Sequence, residues 1–117
     1  MHYLEIVTPQ VEAVCQTYER LHRVTFGEPE PNLGNARTAQ LPTGGSIAVR
    51  APLRATEEPV IRPYLLVEDI NAAVAEAATS GAKIAVPPMR LPGHGTCAIF
   101  IQGGVEHGLW QRDGASQ

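Results

Sequence analysis

The sequence predicts an α+β fold in which two tandem βαβββ modules form a curved, half-open barrel of mixed sheet. Alternating strand patterns surround two helical patterns, and two Gly-Gly pairs mark hairpin turns. The second half of the chain also repeats the first, because a shift of 59 positions carries both Gln10 onto Asp69 and Gly44 onto Gly103. A repeat of this kind indicates one supersecondary unit used twice.

Composition and charge narrow the class of protein. The 117 residues are 44% hydrophobic and 18% charged, which is typical of a soluble globular protein with one core. The net charge is −3 without a cluster of Lys or Arg, which argues against nucleic acid as a partner. No apolar run reaches the ~18 residues of a membrane span, and the first residues lack the features of a secretory signal. We therefore expect a cytoplasmic protein that binds neither nucleic acid nor membrane.

The two cysteines, Cys15 and Cys97, lie within apolar patterns. They are far apart and form no Cys-x-x-Cys motif, so a metal or redox role is disfavoured. Buried free thiols are typical of a reducing compartment, which agrees with a cytoplasmic location.

One domain is expected over residues 1–117. Its two modules cover residues 1–52 and 61–112, and each contains one copy of the repeat. The polar residues 53–60 form a linker of a length usual inside one domain, and residues 113–117 form a tail.

The strands are predicted from alternating residues or from short apolar runs next to turn signals. In chain order they cover residues 3–7, 36–41, 46–51, 62–67 and 83–86, followed by the two strands on either side of Gly103. Residues 23–26 fit either a short strand or a loop. We expect Pro87 and Pro88 to stop the strand at residues 83–86, because proline lacks a backbone donor, and residues 89–94 to form a loop.

Each module has one amphipathic helix, which follows its first strand. The first helix has Thr8 as a hydroxyl cap and Pro9 at its first position. The second helix has Asp69 as its cap and Gly81 at its C-terminal end, where a left-handed residue is favoured. In each predicted module, the helix shields one face of the sheet and leaves the other for a second sheet or a ligand.

The duplicated βαβββ pattern resembles the vicinal oxygen chelate superfamily, and so do the opening YLEIVTPQ at residues 3–10 and the closing GLWQ at residues 108–111. That superfamily includes glyoxalase I, extradiol dioxygenases, and bleomycin- and fosfomycin-resistance proteins. The resemblance covers nearly the whole chain. It implies the fold but not one activity, because these proteins perform many chemistries on one scaffold.

The resemblance also implies where metal ligands would lie, on inward positions of the first and last strands of each module. Those positions here are Tyr3 or Glu5, Arg62 or Tyr64, Ala48, and Gly108. Of these residues only Glu5 is a suitable ligand for a divalent ion, whereas a catalytic site needs about three protein ligands. We therefore expect no cofactor. The alternative is a metal-dependent lyase, isomerase or dioxygenase with a shifted ligand set, Glu5, Glu106 and His107.

Strand parity suggests a different kind of site, on the sheet face away from the helices. The side chains assigned to this face by parity are Glu5, Arg50, Arg62, Tyr64 and Trp110. Guanidinium groups, a phenol and an indole suit a small anionic or aromatic ligand. Arg37 is a further candidate binding residue, although the pattern of its strand does not decide which face its side chain points to. The competing interpretation is a structural ion pair of Glu5 with Arg62 or Arg50.

His94 is the candidate catalytic residue, because its position between Gly93 and Gly95 would expose an imidazole at the rim of a cavity. The competing interpretation is a plain Gly-x-Gly turn. His107 is expected on the helix side of its strand, as a half-buried histidine with satisfied hydrogen bonds.

The sequence thus favours a metal-independent small-molecule-binding protein of the glyoxalase and bleomycin-resistance type. Its ligand would lie on the concave sheet face. The resemblance further implies a homodimer. Besides the metal-dependent alternative, a metal-free acid–base enzyme acting on a small aromatic or anionic substrate also fits, with His94, Glu5 or Tyr64 as its acid–base group.

Overall fold

The computed structural model describes residues 1–114 and has the predicted α+β fold class. Its elements in chain order are β1 (Tyr3–Val7), α1 (Val11–His22), β2 (Arg37–Gln40), β3 (Ser46–Arg50), β4 (Val60–Leu66), α2 (Ile70–Thr79), β5 (Lys83–Leu91), β6 (Gly95–Gln102) and β7 (Val105–Gln111). The chain divides into two compact units, His2–Ile61 and the part from Arg62 onward together with Met1. Residues 115–117 of the predicted tail lie outside the described residues, and the predicted limits of the linker stay predictions.

The first unit is a mixed three-stranded sheet with α1 on one face. Its strand order is β2-β3-β1, with β1 parallel and β2 antiparallel to β3. Apolar side chains of the sheet, α1 and the following loop form its core, namely Ile6, Cys15, Phe26, Ala39, Ile47 and Val49. Because successive strand residues point to opposite faces, this core leaves the odd residues of β1 and the even residues of β3 on the other face.

The first unit lacks the second strand of the predicted βαβββ module. Residues 23–26, which fitted either a strand or a loop, form a loop. Arg23 ends α1 with a left-handed backbone, φ 56°, and a residue in that conformation turns the chain away from an extended path. Phe26 then inserts into the core while its N–H donates to Glu19 Oε2 at 3.0 Å.

The start of α1 also differs from the prediction. The helix begins at Val11 with Gln10 as its N-cap, so Pro9 lies outside it. The Thr8 hydroxyl accepts a hydrogen bond from the Gln10 N–H at 3.1 Å. Thr8 therefore stabilises a turn before the helix, a local bond that Ser and Thr commonly make.

The second unit is a mixed four-stranded sheet with α2 on one face. Its strand order is β4-β7-β6-β5, with β4 parallel to β7 and the other pairs antiparallel. Asp69 is the N-cap of α2, as predicted, and accepts from the Ala72 N–H at 3.1 Å. Gly81 follows the helix with φ 96°, which is the left-handed conformation expected there.

β5 continues through Pro87 and Pro88 to Leu91, so the prediction that these prolines end the strand was wrong. β5 lies at the edge of its sheet, and its pairing with β6 shifts register between Ile84 and Met89. Proline is tolerated in edge strands and at bulges, because the missing N–H is not needed for pairing there. The predicted loop at 89–94 is therefore reduced to a tight turn.

Apart from the missing second strand of the first module, the predicted repeat is present in the structure. The two helix N-caps, Gln10 and Asp69, are 59 positions apart, and so are Gly44 and Gly103 in the two hairpin turns. Within residues 1–114, neither helix is long and apolar enough to cross a membrane.

Candidate functional site

Glu5 and Arg50 form a buried ion pair on the face of the first sheet opposite α1. They lie on the adjacent parallel strands β1 and β3, and Arg50 Nε donates to Glu5 Oε2 at 2.8 Å. A second carboxylate, Glu57, binds the other edge of the guanidinium, with Nη1 at 2.9 Å and Nη2 at 2.7 Å from its two oxygens. The Arg50 side chain is only 8% exposed.

Charge and hydrogen bonding keep Arg50 ionised in this buried position. Burial alone would lower the pKa of the Arg50 guanidinium, but the hydrogen bonds and negative charges of Glu57 and Glu5 raise it above its usual value. One edge of the fork faces Glu5 and the other faces Glu57, which is a favourable geometry for guanidinium and carboxylate groups. The structural pairing of Glu5 with Arg50, one of the two interpretations from the sequence, is therefore present.

The positions at which the resemblance implies metal ligands do not fit a metal ion. In the first unit, Glu5 is bound by Arg50, and Ala48 has no donor atom. In the second unit, Gly108 has no side chain and the Arg62 guanidinium has no lone pair. Within residues 1–114, no three side chains of His, Cys, Asp or Glu are grouped so that they could hold a metal ion.

The shifted ligand set also fails, because Glu106 and His107 lie on opposite faces of β7. Glu106 binds Arg62, with Oε1 at 2.8 Å from Nε and 2.7 Å from Nη2. His107 stacks on Phe100 with ring centroids 4.7 Å apart, and its Nε2 lies 3.1 Å from the Gln102 carbonyl oxygen. His107 is thus a half-buried histidine with hydrogen-bond and stacking partners.

Three other predicted binding residues lie together in the second unit, on the face opposite α2. Tyr64 and Trp110 are 5% and 3% exposed, and their rings meet edge to face with centroids 5.7 Å apart. Arg62 lies two residues before Tyr64 on β4, so both side chains point to the same face. The structure therefore brings Arg62, Tyr64 and Trp110 onto one buried face.

His94 lies in a tight turn beside this aromatic pair. The His94 N–H donates to the Leu91 carbonyl at 2.8 Å, and Gly93 at the third turn position has φ 80°. Proline second and a positive-φ glycine third are typical of a type II turn. The His94 carbonyl oxygen accepts from Trp110 Nε1 at 3.0 Å. The backbone of His94 thus orients the indole, while the acid–base role of its imidazole stays a prediction.

Arg37 lies on the helix side of the first sheet, away from Glu5 and Arg50. It shares its strand face with the core residue Ala39. Its guanidinium binds Glu12 of α1 at 2.7 Å and donates to the carbonyl oxygens of Gly27 and Phe26. Arg37 ties the loop after α1 to the sheet and lies on the face away from the other candidate binding residues of that sheet.

Two carboxylates of these clusters did not emerge from the sequence as ion-pair partners. Glu106 had a usable signal, because it alternates with Gly108 and Trp110 along β7 and therefore shares their face. Glu57 had none, since it is one of several charged residues in a polar connection without periodicity.

Comparisons with known proteins support the fold and leave the activity undefined. No protein-family model matches the chain, and no curated protein matches it significantly. Among solved structures, a methylmalonyl-CoA epimerase from Mycobacterium tuberculosis is 16% identical with a TM-score of 0.72, covering 95% of this chain and 86% of that chain. A hypothetical protein from Bacillus halodurans is 15% identical with a TM-score of 0.75, covering 97% and 94%.

A third similar structure contains a bound compound. It is a variant of the Streptomyces coelicolor methylmalonyl-CoA epimerase in complex with 2-nitronate-propionyl-CoA, with 15% identity, a TM-score of 0.72, and coverage of 97% of this chain and 94% of that chain. Identities this low establish a shared fold and no shared chemistry.

Proposed function

We propose that this chain, which has the vicinal oxygen chelate fold of these epimerases, is a metal-independent small-molecule-binding protein. Its ligand is a small anionic or aromatic molecule, held on the face of the second sheet opposite α2. Trp110 and Tyr64 provide the aromatic contacts, and Arg62 provides the cationic one.

One observation carries this proposal. The buried charged residues of the described chain are Glu5, Arg50 and Arg62, and all three lie on sheet faces opposite the helices. Arg and Glu are almost never fully buried unless they are paired, as these three are, whereas the helix side of the first sheet has an ordinary apolar core. A small number of charged groups beside aromatic rings is the usual lining of a ligand site.

The chemistry of the candidate metal ligands supports the proposal that binding does not require a metal ion. Glu5, the one suitable ligand among the implied positions, is bound by the Arg50 guanidinium at 2.8 Å. A cation at Glu5 would have to compete with that charged group in a buried place, where the loss of an ion-pair partner is costly.

The experiment uses the single tryptophan of the chain as a reporter. Aromatic and aliphatic carboxylic acids are titrated into protein treated with a chelator, and Trp110 fluorescence is followed. We expect saturable quenching that is unchanged when zinc, cobalt or magnesium is added. Tyr64→Phe keeps the ring and serves as the mild variant, while Arg62→Gln weakens binding of acids more than binding of their amides. A ligand that binds only with an added divalent ion would overturn the proposal.

The resemblance also leads us to propose that the protein is a cytoplasmic homodimer. Light scattering coupled to gel filtration measures the mass directly. A mass twice that of the 12.6 kDa chain supports the dimer, and a mass of one chain at micromolar concentration contradicts it.

A further inference from the structure

We infer that the outer edge of the Arg50 guanidinium is a carboxylate-binding subsite, which Glu57 occupies in the free protein and which a carboxylate ligand takes over by displacing Glu57. The inference names carboxylates as the ligand class and places a subsite in the first unit, and it rests on the proposed function only for the premise that the protein binds a small molecule.

The contact between Arg50 and Glu57 has the geometry of a bound carboxylate. Nη1 and Nη2 of Arg50 each donate to a separate oxygen of Glu57, at 2.9 and 2.7 Å. Two parallel N–H···O bonds of this kind are the specific way in which arginine recognises a free carboxylate. A ligand acid placed here would restore the same two bonds.

The other carboxylate, Glu5, prepares the subsite. It lies on β1 and binds Nε from inside the sheet at 2.8 Å. The backbone of Gly34 also passes close to the Arg50 stem, since a Cβ at residue 34 would lie 3.2 Å from Arg50 Cδ. The guanidinium is therefore held in one orientation, with its Nη edge directed at Glu57, before any ligand arrives.

Glu57, in contrast, belongs to a segment that can move without breaking the sheet. Residues 51–59 contain no helix or strand, and most of them are exposed. Besides binding Arg50, the Glu57 side chain holds the segment together, because its Oε1 also accepts a hydrogen bond from the Leu53 N–H at 2.7 Å. Release of this carboxylate exposes few apolar groups, and a ligand carboxylate that takes its place restores the ion pair with the buried Arg50 guanidinium, whose loss would otherwise be costly.

The second arginine shows the difference between a fixed and a displaceable partner. Arg62 is bound by Glu106 through a single oxygen, Oε1. Glu106 lies within β7, where its backbone is paired with β6. The Glu106 backbone is held in a strand and cannot swing away as an irregular segment can, so the same inference is not extended to Arg62.

The first experiment is rescue of a truncated side chain. Glu57→Ala empties the subsite, and we expect formate, acetate and benzoate to raise its melting temperature at constant ionic strength, whereas acetamide and benzamide do not. The apparent affinity of Glu57→Ala for benzoate should exceed that of Glu58→Ala by about tenfold or more. Glu58 is the matched control, because it is an exposed glutamate on the same segment. Glu57→Gln replaces Glu57→Ala if the latter does not fold.

The second experiment tests displacement in the unchanged protein. Arg54 provides a trypsin site inside the segment, and we expect phenylacetate, but not phenylacetamide, to accelerate cleavage after Arg54 several-fold, with cleavage elsewhere as the internal reference. Failure of the rescue, or rescue without faster cleavage after Arg54, overturns the inference. Neither readout involves Trp110, so quenching of Trp110 fluorescence in the absence of both effects would leave the proposed function standing.

Discussion

Gly108 and Tyr64 lie opposite each other in the parallel pair of β7 and β4, and the Tyr64 ring fills the space that a side chain at residue 108 would need. A Cβ added at Gly108 would be 2.5 Å from Tyr64 Cδ2 and 2.7 Å from the Pro63 carbonyl oxygen. The same ring then meets Trp110 edge to face. A position where the resemblance implies a metal ligand is thus used to seat an aromatic ring.

We predict that Gly108→Ala lowers the free energy of unfolding by about 1–3 kcal/mol, the usual cost of overpacking a well-packed region. Chemical denaturation followed by Trp110 fluorescence measures it. Gly27→Ala is the control, because the nearest atom to an added Cβ there is the Thr38 carbonyl oxygen at 3.9 Å. Equal stability of the two variants would show that the ring of Tyr64 can move away at no cost.

Removal of the buried guanidinium should be among the most destabilising changes in the chain. Arg50→Ala deprives Glu5 and Glu57 of their shared partner, and we expect a loss of about 3–5 kcal/mol. Arg90, whose side chain is 65% exposed beside Asp113, is the control, and Arg90→Ala should cost about 0–1 kcal/mol. Urea titrations at one ionic strength compare the two variants. A loss below 1 kcal/mol for Arg50→Ala contradicts the assigned role.

The turn around His94 should depend on its glycine more than on its imidazole. Gly93→Ala is expected to cost about 1–2 kcal/mol, because residue 93 has φ 80°. His94→Ala keeps the carbonyl oxygen that accepts from Trp110 Nε1, so the variant should fold and keep its affinity for quenching ligands. Thermal unfolding and fluorescence titration check both statements. Should a turnover assay exist for a ligand and His94→Ala abolish it, the acid–base hypothesis would replace simple binding.

Cys15 should make the stability fall in alkaline solution. Burial raises the pKa of its thiol above the ordinary value of 9.0. The unfolded chain therefore releases this proton first as the pH rises, so the stabilisation is complete below about pH 9 and is lost above it. We expect the free energy of unfolding of Cys15→Ala to fall less steeply between pH 9 and pH 10.5 than that of the unchanged protein. Parallel curves for the two proteins would refute the prediction.

Local patterns were sufficient for most of the fold. The cap at Asp69, the left-handed Gly81 and the repeated Gly-Gly turns follow from interactions among residues near one another in sequence. Tertiary position overrode the local rule at Pro87, since a proline that would stop a central strand is harmless at a sheet edge.

The candidate site was only partly accessible from sequence. Parity correctly grouped Glu5 with Arg50 and Tyr64 with Trp110, because the alternation of strand residues is a property of the backbone. Parity alone left the direction of the Arg37 side chain undecided. Ala39, on the same face of β2, belongs to the core, so Arg37 also faces the helix.

The sequence by itself determined the repeated α+β architecture and the faces on which the charged and aromatic residues lie. Only the tertiary structure decided which charge meets which. Arg50 is bound by Glu5, 45 residues away, and by Glu57 in an irregular segment. Periodicity reports the direction of a side chain within its own element, whereas an ion pair depends on the distance between two elements, which is fixed only when the chain has packed.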